Sequence, residues 1–252
     1  MISPEVFHWA VIGWIAIAVA IFPFLFKTVA PFGRHTHERM GPMISNRAGW
    51  ILMESPAIWW FSWLFLAGPV IKNPVTWLAF IMWMVHYANR VLLFPFRTRT
   101  KGKLMPVAIV ASAFFFQLTN GFFVGYALTW IDNPGNNDLY GWNVVTGFGL
   151  FALGFFINQW SDHILINLRK PGETGYKIPR GFLFEYVSCP NFFGEILEWI
   201  GFAVVCWNFA GLSFALWTIA NLVPRAWAHH QWYVKTFSDY PDNRKIVIPF
   251  LY

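Results

Sequence analysis

Residues 199–224 read WIGFAVVCWNFAGLSFALWTIANLVP, a run of 26 residues without a single Asp, Glu, Lys or Arg. A helix that spans a bilayer needs about 20 apolar residues, so this run is too long for one comfortable span and short for two. Asn208, Gly211 and Ser213 stand near its middle and predict a tight turn there. We therefore predict two helices, each extended by the polar residues that flank the run.

The rest of the chain has the same apolar character. Of its 252 residues, 57% are hydrophobic and only 12% are charged, about half the charged fraction of a typical soluble domain. No linker divides the chain, so we predict a single integral membrane domain over residues 1–252. Five further runs are each long enough to supply a span, and one of them is interrupted only by Glu54: 7–26, 51–70, 73–89, 104–131 and 139–161.

These runs predict an all-α membrane protein, a bundle of seven transmembrane helices. The positions of Lys and Arg support this number, because cytoplasmic loops are enriched in both. With seven helices, 17 of the 18 basic residues fall on one face, and Lys72 falls on the other. We therefore predict an outside N-terminus and a cytoplasmic C-terminus. The helices are expected at 6–26, 51–70, 75–95, 105–130, 142–166, 192–208 and 212–235.

The formal net charge of +6 is concentrated on that cytoplasmic face. It fits either ordinary control of topology or the binding of an anionic ligand from the cytoplasm. Nucleic acid is not expected as a partner, because the basic residues are scattered over short loops rather than along one element. In the absence of an organelle signal, the host membrane is either the inner membrane of a bacterium or the endoplasmic reticulum.

Three of the predicted helices carry polar residues on one face, since positions i, i+4 and i+7 or i+8 share a face of a helix. A single polar residue on a membrane helix is often a contact between helices. Three aligned sets at the same depth predict a polar cavity open to the cytoplasm. The sets are Asn158 and Asp162, with Arg169 if the fifth helix continues; Asn191, Glu195 and Glu198; and Arg225, His229 and Tyr233.

Glu54 and Tyr87 form a second set of candidate site residues. Counted from Arg47 and Arg97 at the cytoplasmic edge, they lie about 10 and 15 Å along their helices, so the two side chains can meet. Pro56 predicts a helix start or a kink at Glu54. An ionisable group inside the membrane indicates a functional site; the alternative is a protonated acid in a hydrogen bond between helices. Together the pair has the hydrogen-bonding groups that polarise a ketone.

No metal site is expected. His35 with His37 and the neighbouring pair His229–His230 lack the helical spacing and the further ligands that zinc requires.

Several segments together resemble the signature of a known family. NFFGEILEWIGFA (191–203) is followed by RAWAHHQWYVKTFSDYPDNRKIVIPF (225–250), and LRKPGETGYKIP (168–179) precedes both. With MESP (53–56) and HYANR (86–90) upstream, the chain resembles the steroid 5α-reductase family over nearly its whole length, including the seven-helix arrangement.

The resemblance implies an NADPH-dependent reductase that saturates the Δ4 double bond of a 3-oxo-steroid. Glu54 and Tyr87 match the family's catalytic pair, which holds the 3-keto oxygen; Glu54 then needs to be protonated or hydrogen-bonded to Tyr87. The steroid would enter from the bilayer, in contact with membrane lipid, and we expect a monomer. The resemblance assigns the nucleotide site to Asn158, Asp162, Arg169, Tyr176, Lys177, Asn191, Glu195, Arg225, His229 and Tyr233, where Lys177 replaces an arginine of some members.

Three other functions are compatible with parts of the sequence. A trans-2-enoyl-CoA reductase of the same superfamily has the same chemistry but a large anionic substrate. A membrane methyltransferase that uses S-adenosylmethionine shares the C-terminal layout but does not need Glu54. A proton-coupled transporter would use Glu54, but the internal repeat typical of transporters is not evident.

Overall fold

The computed structural model describes residues 2–28, 41–100, 102–131, 138–170, 173 and 175–252. Arg34, His35, His37, Arg39 and Lys101, and the loop residues 132–137, lie outside this description. In chain order the elements are α1 (Pro4–Leu25), β1 (Met43–Ser45), α2 (Asn46–Glu54), α3 (Pro56–Ala67), α4 (Pro74–Ala88), a π-helical turn (Asn89–Leu93), α5 (Phe94–Arg97), β2 (Leu104–Pro106), α6 (Val107–Thr129), α7 (Trp142–Asn167), a 3₁₀ turn (Phe182–Glu185), α8 (Pro190–Cys206) and α9 (Phe209–Thr236).

Four of the described helical segments are long and apolar enough to cross a membrane, namely α1, Pro74–Arg97, α6 and α7. They fit a multi-pass membrane protein. The other helices are shorter or more polar: α8 has 17 residues, and α9 carries basic and polar side chains along its second half. The number of seven spans and the orientation of the termini therefore stay predictions.

The boundary between α2 and α3 lies at Ser55, as Pro56 predicted. Proline has no N–H to donate to the carbonyl four residues earlier, which here belongs to Leu52. The Ser55 hydroxyl donates to that Leu52 oxygen instead, over 3.0 Å. The break therefore leaves no unpaired carbonyl at Leu52, and Glu54 is the last residue of α2.

The turn predicted within residues 199–224 is also confirmed. α8 ends at Cys206, and Trp207 adopts the left-handed conformation with φ of 47°. The Asn208 side chain then accepts a hydrogen bond from the Gly211 backbone N–H at 2.9 Å and caps α9. The charge-free run therefore forms parts of two helices.

A two-stranded antiparallel sheet corrects the all-α prediction. β1 pairs with β2, with Ile44 opposite Met105. Each strand has three residues, too few for an alternating pattern to be visible in the sequence. The sheet joins the segment before α2 to the segment before α6, and these two helices also contact each other. It thereby holds together the two helices that carry Glu54 and Gln117.

The largest apolar cluster lies among α3, α4, α6, α7, α8 and α9. Trp83 on α4 is fully buried at its centre and stacks on Phe61 with 4.6 Å between ring centroids. Trp199 on α8 meets Phe214 on α9 edge to face at 4.4 Å. Tyr87 belongs to the same cluster, so its ring is held by packing and only its hydroxyl is left for polar contacts.

α7 and α8 pack with their backbones in direct contact. A Cβ atom added to Gly194 on α8 would lie 2.5 Å from the Asn158 nitrogen, and one added to Gly147 on α7 would lie 2.7 Å from the Gly201 oxygen. A Cβ atom added to Gly154 would lie still closer to the backbone of Glu198, and one added to Gly201 still closer to that of Phe151. Small residues at such positions allow membrane helices to approach closely.

We predict that Gly194→Ala destabilises the protein by about 1–3 kcal/mol, the usual cost of inserting a methyl group into a filled contact. Gly149→Ala on α7 is the matched control. No described atom lies within 4 Å of a Cβ at Gly149, and alanine is the better helix former by about 1 kcal/mol.

Thermal unfolding in detergent measures both variants. We expect a lower midpoint for Gly194→Ala and an unchanged or higher one for Gly149→Ala. Equal midpoints would contradict the backbone contact.

Candidate active site

Three buried side chains from three helices form a hydrogen-bonded chain. The Tyr87 hydroxyl on α4 donates to Oε1 of Gln117 on α6 at 3.0 Å. Nε2 of Gln117 donates to Oε2 of Glu54, at the end of α2, at 2.6 Å. All three residues are less than 10% exposed. Glu54 and Tyr87 are thus brought together, as their depths predicted, with Gln117 between them in place of a direct hydrogen bond.

Arg90 lies beside Glu54 within the π-helical turn. Its Nη2 is 3.9 Å from Glu54 Oε1, and its guanidinium lies over the Trp50 and Phe94 rings at 4.7 and 4.8 Å from their centroids. Trp50 Nε1 donates to the Arg90 carbonyl oxygen at 3.1 Å. Such π turns occur frequently at functional sites. Arg90 was absent from the predicted site, because the sequence showed it only as one of many cytoplasmic cations.

The polar faces predicted on the fifth and sixth helices meet between α7 and α8. Asn191 donates to Asp162 Oδ1 at 3.2 Å. Asn158 Nδ2 donates to the Asn191 carbonyl oxygen at 3.0 Å and to Glu195 Oε2 at 3.4 Å. The positive charge of Arg90 also attracts Glu195 and Asp162. This polar network is therefore within electrostatic reach of the Glu54–Gln117–Tyr87 chain, and α4, which carries Tyr87, contacts both α7 and α8.

Two buried polar atoms near these groups have no hydrogen-bond partner among the described residues, Asn89 Nδ2 and Ser161 Oγ. Asn89 precedes Arg90, and Ser161 stands between Asn158 and Asp162 on α7. An unsatisfied buried polar group is costly, so such atoms indicate where a polar ligand can bind.

The loop after α7 carries three further predicted site residues. α7 ends at Asn167, so the condition under which Arg169 would share its polar face is not met, and Arg169 lies beyond the helix. Arg169 donates to the Gly175 carbonyl oxygen at 3.1 Å. The Lys177 ammonium pairs with Glu173 at 2.5 Å, and this hydrogen bond holds the pKa of Glu173 below its usual value. The Tyr176 ring meets Trp232 on α9 edge to face at 4.8 Å.

α9 carries the remaining predicted residues, Arg225, His229 and Tyr233. The His229 ring lies 5.8 Å from that of Phe192 on α8. Tyr233 stacks on Tyr240, with 5.3 Å between centroids and 8° between the ring planes. It therefore contacts the C-terminal segment that follows the helix.

That C-terminal segment is fastened to the start of α8. Tyr240 shares a 2.6 Å hydrogen bond with Ser188, and burial raises the pKa of this phenol. Ser188 is also 2.6 Å from Nδ1 of His230 on α9. The segment therefore closes over the cytoplasmic ends of α8 and α9 on the predicted topology.

Glu198 lies outside the polar network, although the sequence placed it on the same face as Asn191 and Glu195. Its Oε1 is 2.8 Å from Nδ1 of His86 on α4, and Glu198 is fully buried. The pair joins α4 to α8 immediately beside Tyr87. Sequence spacing could not reveal it, because the two residues are 112 positions apart.

The chain is similar in sequence to a family of enzymes and to individual plant and animal proteins that carry the family's name. Residues 103–252 match the family described as 3-oxo-5-alpha-steroid 4-dehydrogenase. The steroid 5-alpha-reductase DET2 of Gossypium hirsutum is 42% identical over 253 residues, which is 98% of this chain and 97% of that protein.

Animal proteins show the same degree of similarity. The 3-oxo-5-alpha-steroid 4-dehydrogenase 1 of Rattus norvegicus is 42% identical over 232 residues, covering 88% of this chain and 86% of that protein. The protein of the same name from Homo sapiens is 39% identical over 247 residues, covering 94% and 92%. The similarity therefore includes the segments of Glu54 and Tyr87 as well as the C-terminal half.

We predict that His86→Leu destabilises the protein by about 1–3 kcal/mol, because the buried Glu198 loses its partner. The double variant His86→Leu/Glu198→Leu should recover much of this loss, since an apolar replacement of a buried polar pair is often nearly neutral. Thermal unfolding of both single variants and the double variant measures the coupling. Losses that simply add in the double variant would contradict a paired role.

Proposed function

This chain belongs to the 3-oxo-5-alpha-steroid 4-dehydrogenase family, and we propose that it uses NADPH to reduce the Δ4 double bond of 3-oxo-Δ4-steroids to 3-oxo-5α-steroids. Family membership makes it an oxidoreductase. The observation that carries the more specific proposal is the buried hydrogen-bonded chain that ends in Glu54 and Tyr87. A carboxyl group and a phenol held together in an apolar interior suit a ligand with one polar oxygen on a hydrocarbon skeleton.

The proposed reaction uses Tyr87 and Glu54 as the groups that hold the C3 ketone oxygen. Addition of hydride at C5 moves the C4–C5 π electrons toward C3, so negative charge develops on that oxygen. Hydrogen bonds from the two side chains stabilise this enolate, and one well-aimed donor is worth about 3–4 kcal/mol. A proton then binds at C4 and the ketone is restored. Tyr87 is positioned for this task by its packed ring.

NADPH, when bound, supplies the hydride. The uncharged parts of NADPH could be held by the polar network between α7 and α8, which consists of Asn158, Asp162, Asn191 and Glu195. The cations Arg169, Lys177 and Arg225 could bind its phosphates through charge-assisted hydrogen bonds; Tyr176, His229 and Tyr233 complete the proposed site. The unpartnered Asn89 Nδ2 and Ser161 Oγ support the fit of a polar ligand here.

The proposal includes the seven-span topology, with the N-terminus outside and the C-terminus in the cytoplasm. It then follows that the nucleotide binds from the cytoplasm and that the steroid enters between helices from the bilayer. A monomer suffices for this arrangement, since all proposed groups belong to one chain.

The experiment that tests the proposal is NADPH oxidation by the detergent-purified protein. Progesterone is offered as the Δ4-3-oxo-steroid, and a trans-2-enoyl-CoA is offered in parallel. Oxidation that depends on progesterone supports the proposed function. Turnover of the thioester alone would overturn the substrate assignment in favour of the enoyl-CoA reductase.

We predict that Glu54→Gln lowers the turnover of progesterone by up to about 100- to 1,000-fold, the range for removal of one donor to a developing oxyanion, because its amide N–H is a much weaker acid than a carboxyl group. NADPH binding should change little. Glu5→Gln, at an exposed position in the first turn of α1, is the control and should retain full turnover. Undiminished turnover in Glu54→Gln would refute the role of Glu54 at the ketone.

We predict that Arg225→Ala weakens NADPH binding by about ten- to a hundredfold, the effect of losing a hydrogen bond to a charged group. Lys235→Ala removes a basic residue from the last turn of the same helix and should leave the affinity unchanged. Enhancement of NADPH fluorescence on binding measures both. Equal affinities in the two variants would exclude a phosphate contact at Arg225.

A further inference from the structure

Gln117 has not been assigned a part in the proposed reaction, although both of its polar atoms contact the groups proposed to hold the ketone. We propose that Gln117 is a positioning residue, which holds the Tyr87 hydroxyl and Glu54 in place until the substrate binds; the single hydroxyl hydrogen of Tyr87 then turns from Gln117 Oε1 to the ketone oxygen. This inference rests on the proposed function. It concerns a residue that touches Tyr87 and Glu54 and acts on the steroid through them.

The two hydrogen bonds of Gln117 fix which atoms donate and which accept along the Glu54–Gln117–Tyr87 chain. An amide has one acceptor atom and one donor atom, and it does not ionise near neutral pH. Because Gln117 Oε1 accepts the Tyr87 hydrogen bond, its Nε2 faces Glu54 and can only donate. Oε2 of Glu54 must therefore be an acceptor. A proton carried by Glu54 then lies on Oε1, the oxygen on the side of Arg90.

Gln117 also keeps Glu54 apart from Arg90. The shortest distance between them, 3.9 Å, is longer than a hydrogen bond, whereas the 2.6 Å bond from Gln117 to Glu54 is short. Without the amide, Glu54 is free to turn toward the guanidinium and pair with it as a carboxylate. Glu54 would then no longer donate a hydrogen bond to a ketone. The Tyr87 hydroxyl would at the same time lose the acceptor that orients it.

The position of Gln117 is rigid. α6 begins directly after β2, whose partner β1 begins the segment that leads to α2. One turn after Gln117, Asn120 is fully buried, and it accepts a hydrogen bond from Trp14 on α1 at 3.1 Å. The amide of Gln117 is thus presented by a helix that is fixed on both sides, as positioning of a reacting pair requires.

Two variants of Gln117 test the inference. Gln117→Met keeps an unbranched side chain of similar length but removes both hydrogen bonds. Gln117→Glu keeps the shape, and its protonated acid still has one acceptor and one donor, whereas its ionised form cannot donate to Glu54. Thr119→Val is the control on the same helix, because within the described part of the chain the Thr119 hydroxyl bonds only to the Phe115 carbonyl of its own helix.

We expect Gln117→Met to lower kcat for progesterone at least tenfold while the Kd of NADPH stays near that of the unaltered protein; the thermal midpoint falls because two buried hydrogen bonds are lost, and the unchanged Kd shows that the variant is folded. Gln117→Glu should exceed Gln117→Met in kcat. Its kcat relative to the unaltered protein should fall as the pH rises from 5 to 9. Glu54, Tyr87 and Arg90 are present in Gln117→Glu and in the unaltered protein. The effect of their own titration on kcat therefore largely cancels when one kcat is divided by the other. Thr119→Val should match the unaltered protein.

Binding supplies a second readout that does not require turnover. Quenching of tryptophan fluorescence by progesterone without NADPH measures progesterone binding; one of the 16 tryptophans, Trp83, lies 4.9 Å from the Tyr87 ring. A weaker progesterone affinity in Gln117→Met, restored in part by Gln117→Glu at low pH, supports the inference.

The inference is overturned if Gln117→Met retains full kcat, or if Gln117→Glu shows the same relative activity at every pH and no advantage over Gln117→Met. These outcomes bear on Gln117 when the unaltered protein reduces progesterone. A complete lack of progesterone turnover in the unaltered protein would instead refute the proposed function. The two failures are therefore distinguishable, because only the second appears before any substitution is made.

Discussion

Backbone contact between α7 and α8 determines where the polar groups of this protein can meet. Gly154 stands one turn before Asn158, and Gly194 stands next to Glu195. Because side chains at these glycines would collide with the facing backbone, the contact exists only with glycine there. A wider spacing would separate the Asn158 side chain from the Asn191 carbonyl that it now reaches at 3.0 Å. Hydrogen bonds of this kind are required where no water is present to replace them.

One cation, Arg90, interacts electrostatically with both sets of polar side chains in the site. Arg90 attracts Glu54 in the hydrogen-bonded chain, and Glu195 and Asp162 in the network between α7 and α8. Its stem and guanidinium are covered by Trp50 and Phe94, which favours a charge that stays within the protein. The proposed ketone-holding pair and the proposed nucleotide site are therefore coupled electrostatically through the same cation.

Much of the fold could be predicted from the sequence because membrane helices show themselves in local composition. The break at Pro56, the turn at Asn208 and the polar faces of α7 and α8 all follow from short segments, and the family resemblance read from the motifs is confirmed. The missed features are pairings between distant residues. Gln117 is 63 positions from Glu54, and His86 is 112 positions from Glu198, and a lone polar residue on an apolar helix does not reveal which helix it will face.

The π-helical turn at Asn89–Leu93 makes the length of its segment as important as its composition. A π turn accommodates one residue more than an α-helical turn, and each residue of an α-helix advances the chain by about 100° around the axis. Deleting one residue here would close the turn to an α-helical one. Tyr87 before it and Arg97 after it, which now reaches Gln159 on α7, would keep nearly the same directions, while the residues within the turn, including Arg90, would move around the axis. Leu92 and Leu93 are exposed and can be exchanged for other apolar residues. The extra residue therefore matters for the placement of Arg90 rather than for the helix that follows.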